Sequence, residues 1–105
     1  MATNIKAVNN NVKSYVEDVK RAIPIDRAVL FGSHAKGTAT EHSDIDLCFF
    51  SDDFENKNEM DVLKTLFRMT RKYRGLDIEP HVFPTSEIKK DNPFVKEILR
   101  TGREI

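Results

Sequence analysis

Two signals in this 105-residue chain have the residue types and spacing for chemistry: Gly32-Ser33 and, ten residues later, Asp44-Ile45-Asp46. Carboxylates at i and i+2 on a strand project from one face, with Cα atoms about 6–7 Å apart. That separation lets them converge on one or two hard cations, including a metal pair about 3.5–4 Å apart. Such acids are costly to bury alone, so their strand needs a cation, an Arg or Lys partner, or a sheet end open to water. Upstream, a glycine directly after a buried strand permits a sharp turn and close backbone approach to a ligand. Ser33 adds a hydroxyl, and the amides of the turn that follows suit a phosphate group. Lys36 and, to a lesser degree, His34 add positive charge nearby. Phosphate donors beside paired carboxylates are the combination that magnesium-dependent nucleotide chemistry requires.

Other phosphate and nucleophile motifs fail. Gly32 and Gly37 have the spacing of a P-loop, but Thr38 stands where that motif needs lysine. There is no Gly-x-Gly-x-x-Gly, and Ser33 is not in a Gly-x-Ser-x-Gly elbow.

The elements that must position these residues follow from periodicity. Val8, Val12, Tyr15, Val16, Val19 and Ile23 form one apolar face of a helix that Pro24 ends. Residues 25–31 read as a strand whose Ala28-Val29-Leu30-Phe31 end is buried on both faces. Residues 32–43 lack apolar periodicity and read as a loop, with one helical turn capped by Ser33. Residues 44–51 form a second strand, with Ile45, Leu47 and Phe49 on one face and Asp44, Asp46 and Cys48 on the other. Asn58 caps a long helix with Met60, Leu63, Leu66, Phe67, Thr70 and Tyr73 inward, stopped by Gly75. Residues 76–83 form a third strand, which Pro80 demotes to an edge or a bulge. Asn92-Pro93 opens a last helix with Phe94, Val95, Ile98 and Leu99 inward, closed by Gly102. The expected fold is a compact α/β (α+β) layer structure forming a single domain over residues 1–105.

Seventeen basic and seventeen acidic residues cancel, which argues against a general nucleic-acid-binding module but not against a local phosphate site. No apolar run approaches a membrane span and Met1 is not followed by a signal-peptide pattern. The single cysteine, Cys48, excludes an internal disulfide and reads as a small core residue. A cytoplasmic location is the expectation. Lys64, Arg68, Arg71, Lys72 and Arg74 crowd the end of the long helix and read as a wet face that complements its dipole. His34, His42 and His81 have no regular spacing and read as surface or hydrogen-bonded histidines.

Gly32-Ser33, the ten-residue gap and Asp44-x-Asp46 resemble the signature of the nucleotidyltransferase superfamily that includes DNA polymerase beta. At this length the chain is similar to the minimal nucleotidyltransferase (MNT) proteins. The resemblance runs from Val29-Leu30-Phe31 through Ser43-Asp44-Ile45-Asp46-Leu47 and Ile78-Glu79-Pro80-His81 to the segment from Asn92 to Gly102. It implies a small mixed sheet flanked by helices, in the order helix-strand-strand-helix-strand-helix. It also implies transfer of a nucleoside monophosphate, AMP from ATP, to a hydroxyl. Carried over, Asp44 and Asp46 hold two Mg2+ ions. Gly32 and Ser33 grip the β/γ phosphates, with Lys36, His34 and Ser43 beside them. Relatives often carry arginine where His34 and Lys36 stand. A third acid on the later strand completes the metal site. Asp77 and Glu79 share one face of that strand, and spacing does not choose between them. Glu79 lies deeper and reaches further, and the resemblance places the acid directly before proline, as in Glu79-Pro80.

Minimal proteins of this kind resemble the antitoxin half of a pair with an all-helical HEPN-domain protein, to which AMP is added. A chain this short leaves little protein for an acceptor pocket, so the acceptor surface is expected on another chain or in a homo-oligomer. The rival expectation is a catalytically weak nucleotide-binding or regulatory module with the same fold.

Overall fold

The computed structural model describes residues 5–40 and 43–105, apart from the side chains of residues 5–8. In chain order the elements are α1 (Ile5–Ala22), β1 (Arg27–Phe31), α2 (Ser33–Lys36), β2 (Ile45–Phe50), α3 (Glu59–Met69), β3 (Ile78–Phe83), α4 (Pro93–Thr101) and β4 (Arg103–Glu104). Short 3-10 turns at Asp52–Asn56, Thr70–Lys72 and Thr85–Ile88 join them.

The four strands form one mixed sheet in the order β3-β2-β1-β4. β1 runs antiparallel to both neighbours, whereas β2 and β3 are parallel, the arrangement that a crossover through α3 produces. β3 is an edge strand, as Pro80 demands: a residue without an N–H is tolerated where no further strand pairs. β1 is central, which explains its uninterrupted apolar run.

α1 and α3 cover one face of the sheet. Val12, Tyr15, Val16 and Val19 of α1 and Val62 and Leu66 of α3 pack on Ala28, Leu30, Leu47, Phe49 and Val82. The other face carries a smaller cluster in which Val95 and Ile98 of α4 meet Val29, Cys48 and Phe50. Val8 of the expected α1 stripe has its side chain outside the described residues. Asn58 accepts from the amides of Met60 (2.9 Å) and Asp61 (3.2 Å), and Asn92 from those of Phe94 (3.0 Å) and Val95 (3.2 Å), so both predicted caps are present.

The inward stripe of α3 differs from expectation. Leu66 and Tyr73 are buried as expected, but Met60 (60% exposed) and Phe67 (46%) face outward and Val62 is buried in their place. The sequence holds two overlapping apolar stripes, Met60-Leu63-Phe67 and Val62-Leu66-Met69, and periodicity does not rank them. The 3-10 turn after Met69 also tightens the winding that carries Tyr73 inward. Phe94 likewise lies 47% exposed at the start of α4 rather than inward.

Gly102 ends α4 in an extended conformation (φ −83°) rather than a left-handed cap. A Cβ there would lie 2.5 Å from both Val29 Cγ1 and the Ile98 carbonyl, so glycine lets the chain turn tightly against the sheet. The chain then adds β4, unforeseen because two charged residues show no alternation; it pairs Val29 with Glu104 and Leu30 with Arg103. Among the described residues, no helix is long and apolar enough to cross a membrane.

Candidate active site

Register places the polar residues. Across β1, β2 and β3, Phe31, Asp46 and Glu79 form one row, Val29, Cys48 and His81 the next, and Arg27, Phe50 and Phe83 a third. Side chains of a row share a face. α4 seals the inner part of that face through Val95 and Ile98, so Cys48 is fully buried and burial pushes its thiol up to about 12. The row nearest the sheet end carries the carboxylates, where Asp46 keeps a quarter of its side chain exposed. The open end, not a buried partner, makes an acid tolerable there: among the described residues no lysine or arginine pairs with Asp46 or Glu79.

Gly32 follows Phe31 with φ 76° and ψ −155°, a conformation essentially closed to other residues. A Cβ at this position would lie 2.6 Å from Asp46 Oδ2. The glycine therefore both turns the chain and lets the carboxylate lie against the backbone. It is also the cap of α2, in place of the expected Ser33. Ser33 is the first helical residue, and no side chain caps the turn. The Gly32 carbonyl accepts from the amides of Ala35 and Lys36, both at 3.1 Å, and the Ser33 carbonyl from Thr38 at 3.0 Å.

The predicted residues separate into two groups. Asp46 and Glu79 come together, directly paired across the parallel strands. Asp44 lies just before β2 and is exposed, and it does not belong to the cluster that Asp46 and Glu79 form. Asp77 precedes β3, is exposed, and uses its carbonyl to accept from the Ile45 amide at 2.7 Å. Lys36 is exposed. His34 turns its Nε2 toward the Ser43 carbonyl at 3.4 Å, bridging α2 to the start of β2. The Ser43 hydroxyl accepts from the Thr40 amide at 2.9 Å. His42 lies outside the described residues.

His81 corrects the expectation of a surface or hydrogen-bonded histidine. Its Nε2 is shielded from solvent, has no hydrogen-bond partner, and lies 3.6 Å from Asp46 Oδ1. Asp46, Glu79 and His81 each offer a ligand atom within 4.8 Å of the others. Cis ligands bonded at about 2.0–2.2 Å to one ion stand about 3 Å or more apart, so the trio has the compactness of a cation site. Irregular histidine spacing concealed it. The signal that was present is the alternation of β3, which puts His81 on the Glu79 face.

Residues 12–104 match the family described as the nucleotidyltransferase domain. A Methanocaldococcus jannaschii protein named "Putative protein adenylyltransferase MJ1305" is 33% identical over 107 residues, covering 95% of this chain and 71% of that protein. A second protein of that organism, "Putative protein adenylyltransferase MJ0141", is 29% identical over 97 residues, covering 90% of this chain and 94% of its own length. The crystal structure of a nucleotidyltransferase from Sulfolobus solfataricus, titled "putative", superimposes with a TM-score of 0.62 at 26% identity, over 74% of this chain and 68% of that one. With a family match over nearly its whole length and a mixed sheet that gathers Asp46 and Glu79 beside a glycine turn, this chain belongs to the nucleotidyltransferase domain family.

Proposed function

We propose that the chain transfers AMP from ATP to a hydroxyl on a protein acceptor, with Mg2+ as the divalent cofactor. The row Phe31–Asp46–Glu79 beside the Gly32 turn is the observation that carries this reading. Asp46 and Glu79 hold the cation side of the site, with Asp44 joining from the head of β2 to serve a second ion. Gly32 and Ser33 receive the β/γ phosphates, helped by Lys36, Ser43 and His34. A bound divalent ion would supply charge stabilisation to the attacking and leaving oxygens of an in-line displacement. The residues of the chain orient the triphosphate and offer Glu79 as acceptor for the hydroxyl proton.

The protein acceptor is supported by the names of the two M. jannaschii relatives. The finer reading, an antitoxin-like partner of a HEPN-domain protein, rests on the resemblance to minimal nucleotidyltransferases. In either case the acceptor surface comes from another chain or a second copy of this one. Incubation with ATP labelled at the α-phosphate, an acceptor protein and Mg2+ tests this directly. Metal-dependent labelling of the acceptor is expected, and its absence across acceptors with ATP still bound favours the rival reading of a nucleotide-binding module. One observation favours that rival: His34 spends its Nε2 on the Ser43 carbonyl.

A further inference from the structure

The geometry points to a metal centre of mixed oxygen and nitrogen donors: His81 Nε2 is a direct ligand of the cation held by Asp46 and Glu79, and this position selects a borderline first-row divalent ion, of the Co2+ or Zn2+ class, over magnesium. The inference rests on the reading above only in that Asp46 and Glu79 bind a cation, and it replaces Mg2+ as the preferred ion of that one position.

Three observations carry it. The ring is held edge-on against Phe31 (centroids 5.2 Å) and beside Phe94 (6.2 Å), so its direction is set by packing. Nε2 is shielded from water and has no hydrogen-bond partner, which is rare for a polar atom in a folded protein. The 3.6 Å to Asp46 Oδ1 is too long for a hydrogen bond, yet it is an ordinary separation for two ligands of one ion. An ion there satisfies the nitrogen and both carboxylates together. Magnesium prefers an octahedral shell of oxygens and retained waters, whereas imidazole suits the borderline transition ions.

The test titrates the whole protein with Co2+, followed by visible absorption and calorimetry, and with Mg2+ by calorimetry. Wild type is expected to bind Co2+ at least ~10-fold more tightly than Mg2+. His81→Phe preserves a ring among aromatic neighbours. It is expected to lose at least ~10-fold in Co2+ affinity and to change the Co2+ absorption bands, with Mg2+ affinity nearly unaltered. Asp77→Asn, exposed and outside the cluster, is the control and leaves Co2+ binding as it was. Pulsed EPR of the Mn2+-loaded wild type needs no variant and reads directly whether an imidazole nitrogen is bonded to the ion. Equal Co2+ affinity in folded His81→Phe, or no nitrogen coupling to Mn2+, overturns the proposal and leaves His81 as a packing residue. Loss of AMP transfer with every metal, while Co2+ binding still depends on His81, overturns the transfer reading and leaves the mixed centre standing.

Discussion

The two faces of the sheet treat polar groups in opposite ways. On the face under α1 and α3, polar atoms find partners inside the fold. The buried Tyr15 hydroxyl donates to the Leu66 carbonyl at 2.8 Å, and burial raises its pKa well above the usual tyrosine range. Tyr73 donates to Asp18 at 2.5 Å, and Lys72 joins the same carboxylate at 3.4 Å. On the α4 face, Asp46 and Glu79 share a row with no lysine or arginine paired to them among the described residues, and His81 Nε2 has no hydrogen-bond partner. Leaving a shielded nitrogen unpaired costs about 1–3 kcal/mol, a cost that persists only where something else compensates for it. One face is therefore complete as folded, and the other leaves a carboxylate pair and a ring nitrogen without internal partners among the described residues.

Adjacent residues of β2 give the strongest way to break this contrast. Asp46→Asn removes a full ligand charge at constant volume, so transfer is expected to vanish while thermal unfolding is unchanged or shifts slightly upward. Leu47→Ala, one residue on and facing α1 and α3, is expected to lose about 2–5 kcal/mol of stability. Denaturation curves and label-transfer assays on the two variants decide it. A gross loss of structure in Asp46→Asn would show that the carboxylate is part of the core.

Gly32→Ala should injure both sides of the contrast. The backbone conformation costs any other residue about 1–3 kcal/mol. The new methyl would also press on Asp46 Oδ2, displacing a reacting-centre group, which commonly costs about 100-fold in rate. Wild-type activity in this variant would mean that the close approach of Gly32 to Asp46 does not matter to the chemistry.

Glu79→Gln is expected to lower transfer at least ~100-fold, as removal of one preorganised stabilising group does. Asp77→Asn, exposed and outside β3, should turn over normally. The reverse outcome would move the working acid off the Asp46 row.

The smallest effect sharpens the other face. The Tyr73 hydroxyl, followed by the charges of Lys72 and Arg21, holds the Asp18 carboxyl below its ordinary pKa. A pKa lowered in the folded state contributes stability above the unfolded value and loses it as pH falls through the folded one. Tyr73→Phe should therefore be less stable than wild type at neutral pH, with the gap closing in acid as Asp18 protonates. Urea unfolding of both proteins across that range measures it, and a gap independent of pH would assign the effect to packing alone.

Much of the site was legible in local pattern. Asp46 and Cys48 on one face of β2, the caps at Asn58 and Asn92, and the edge position of β3 all follow from residue type and a period of two or 3.6, whereas the period left Asp77 and Glu79 open. Local rules reach these because strand alternation, capping and the missing proline N–H act within a few residues. The apolar stripes of α3 were ambiguous because two of them fit one helix, and only packing on the sheet selected Val62 over Met60 and Phe67 beside the expected Leu66. Phe94 and β4 depended on how the chain turns after Asn92 and Gly102, which no period encodes.

The residue types alone determined which chemistry is available: a Gly-Ser turn, carboxylates at alternating strand positions, and no thiol free to react. The tertiary structure decided which of those groups meet. Asp46 stands opposite Glu79, and His81 within 3.6 Å of Asp46, because β2 and β3 pair in parallel, at a register spanning 33 residues of sequence. That register is set by burying Ile45, Leu47, Phe49, Ile78 and Val82 on one face, since a slip of one residue would turn every side chain of a strand to the wrong side.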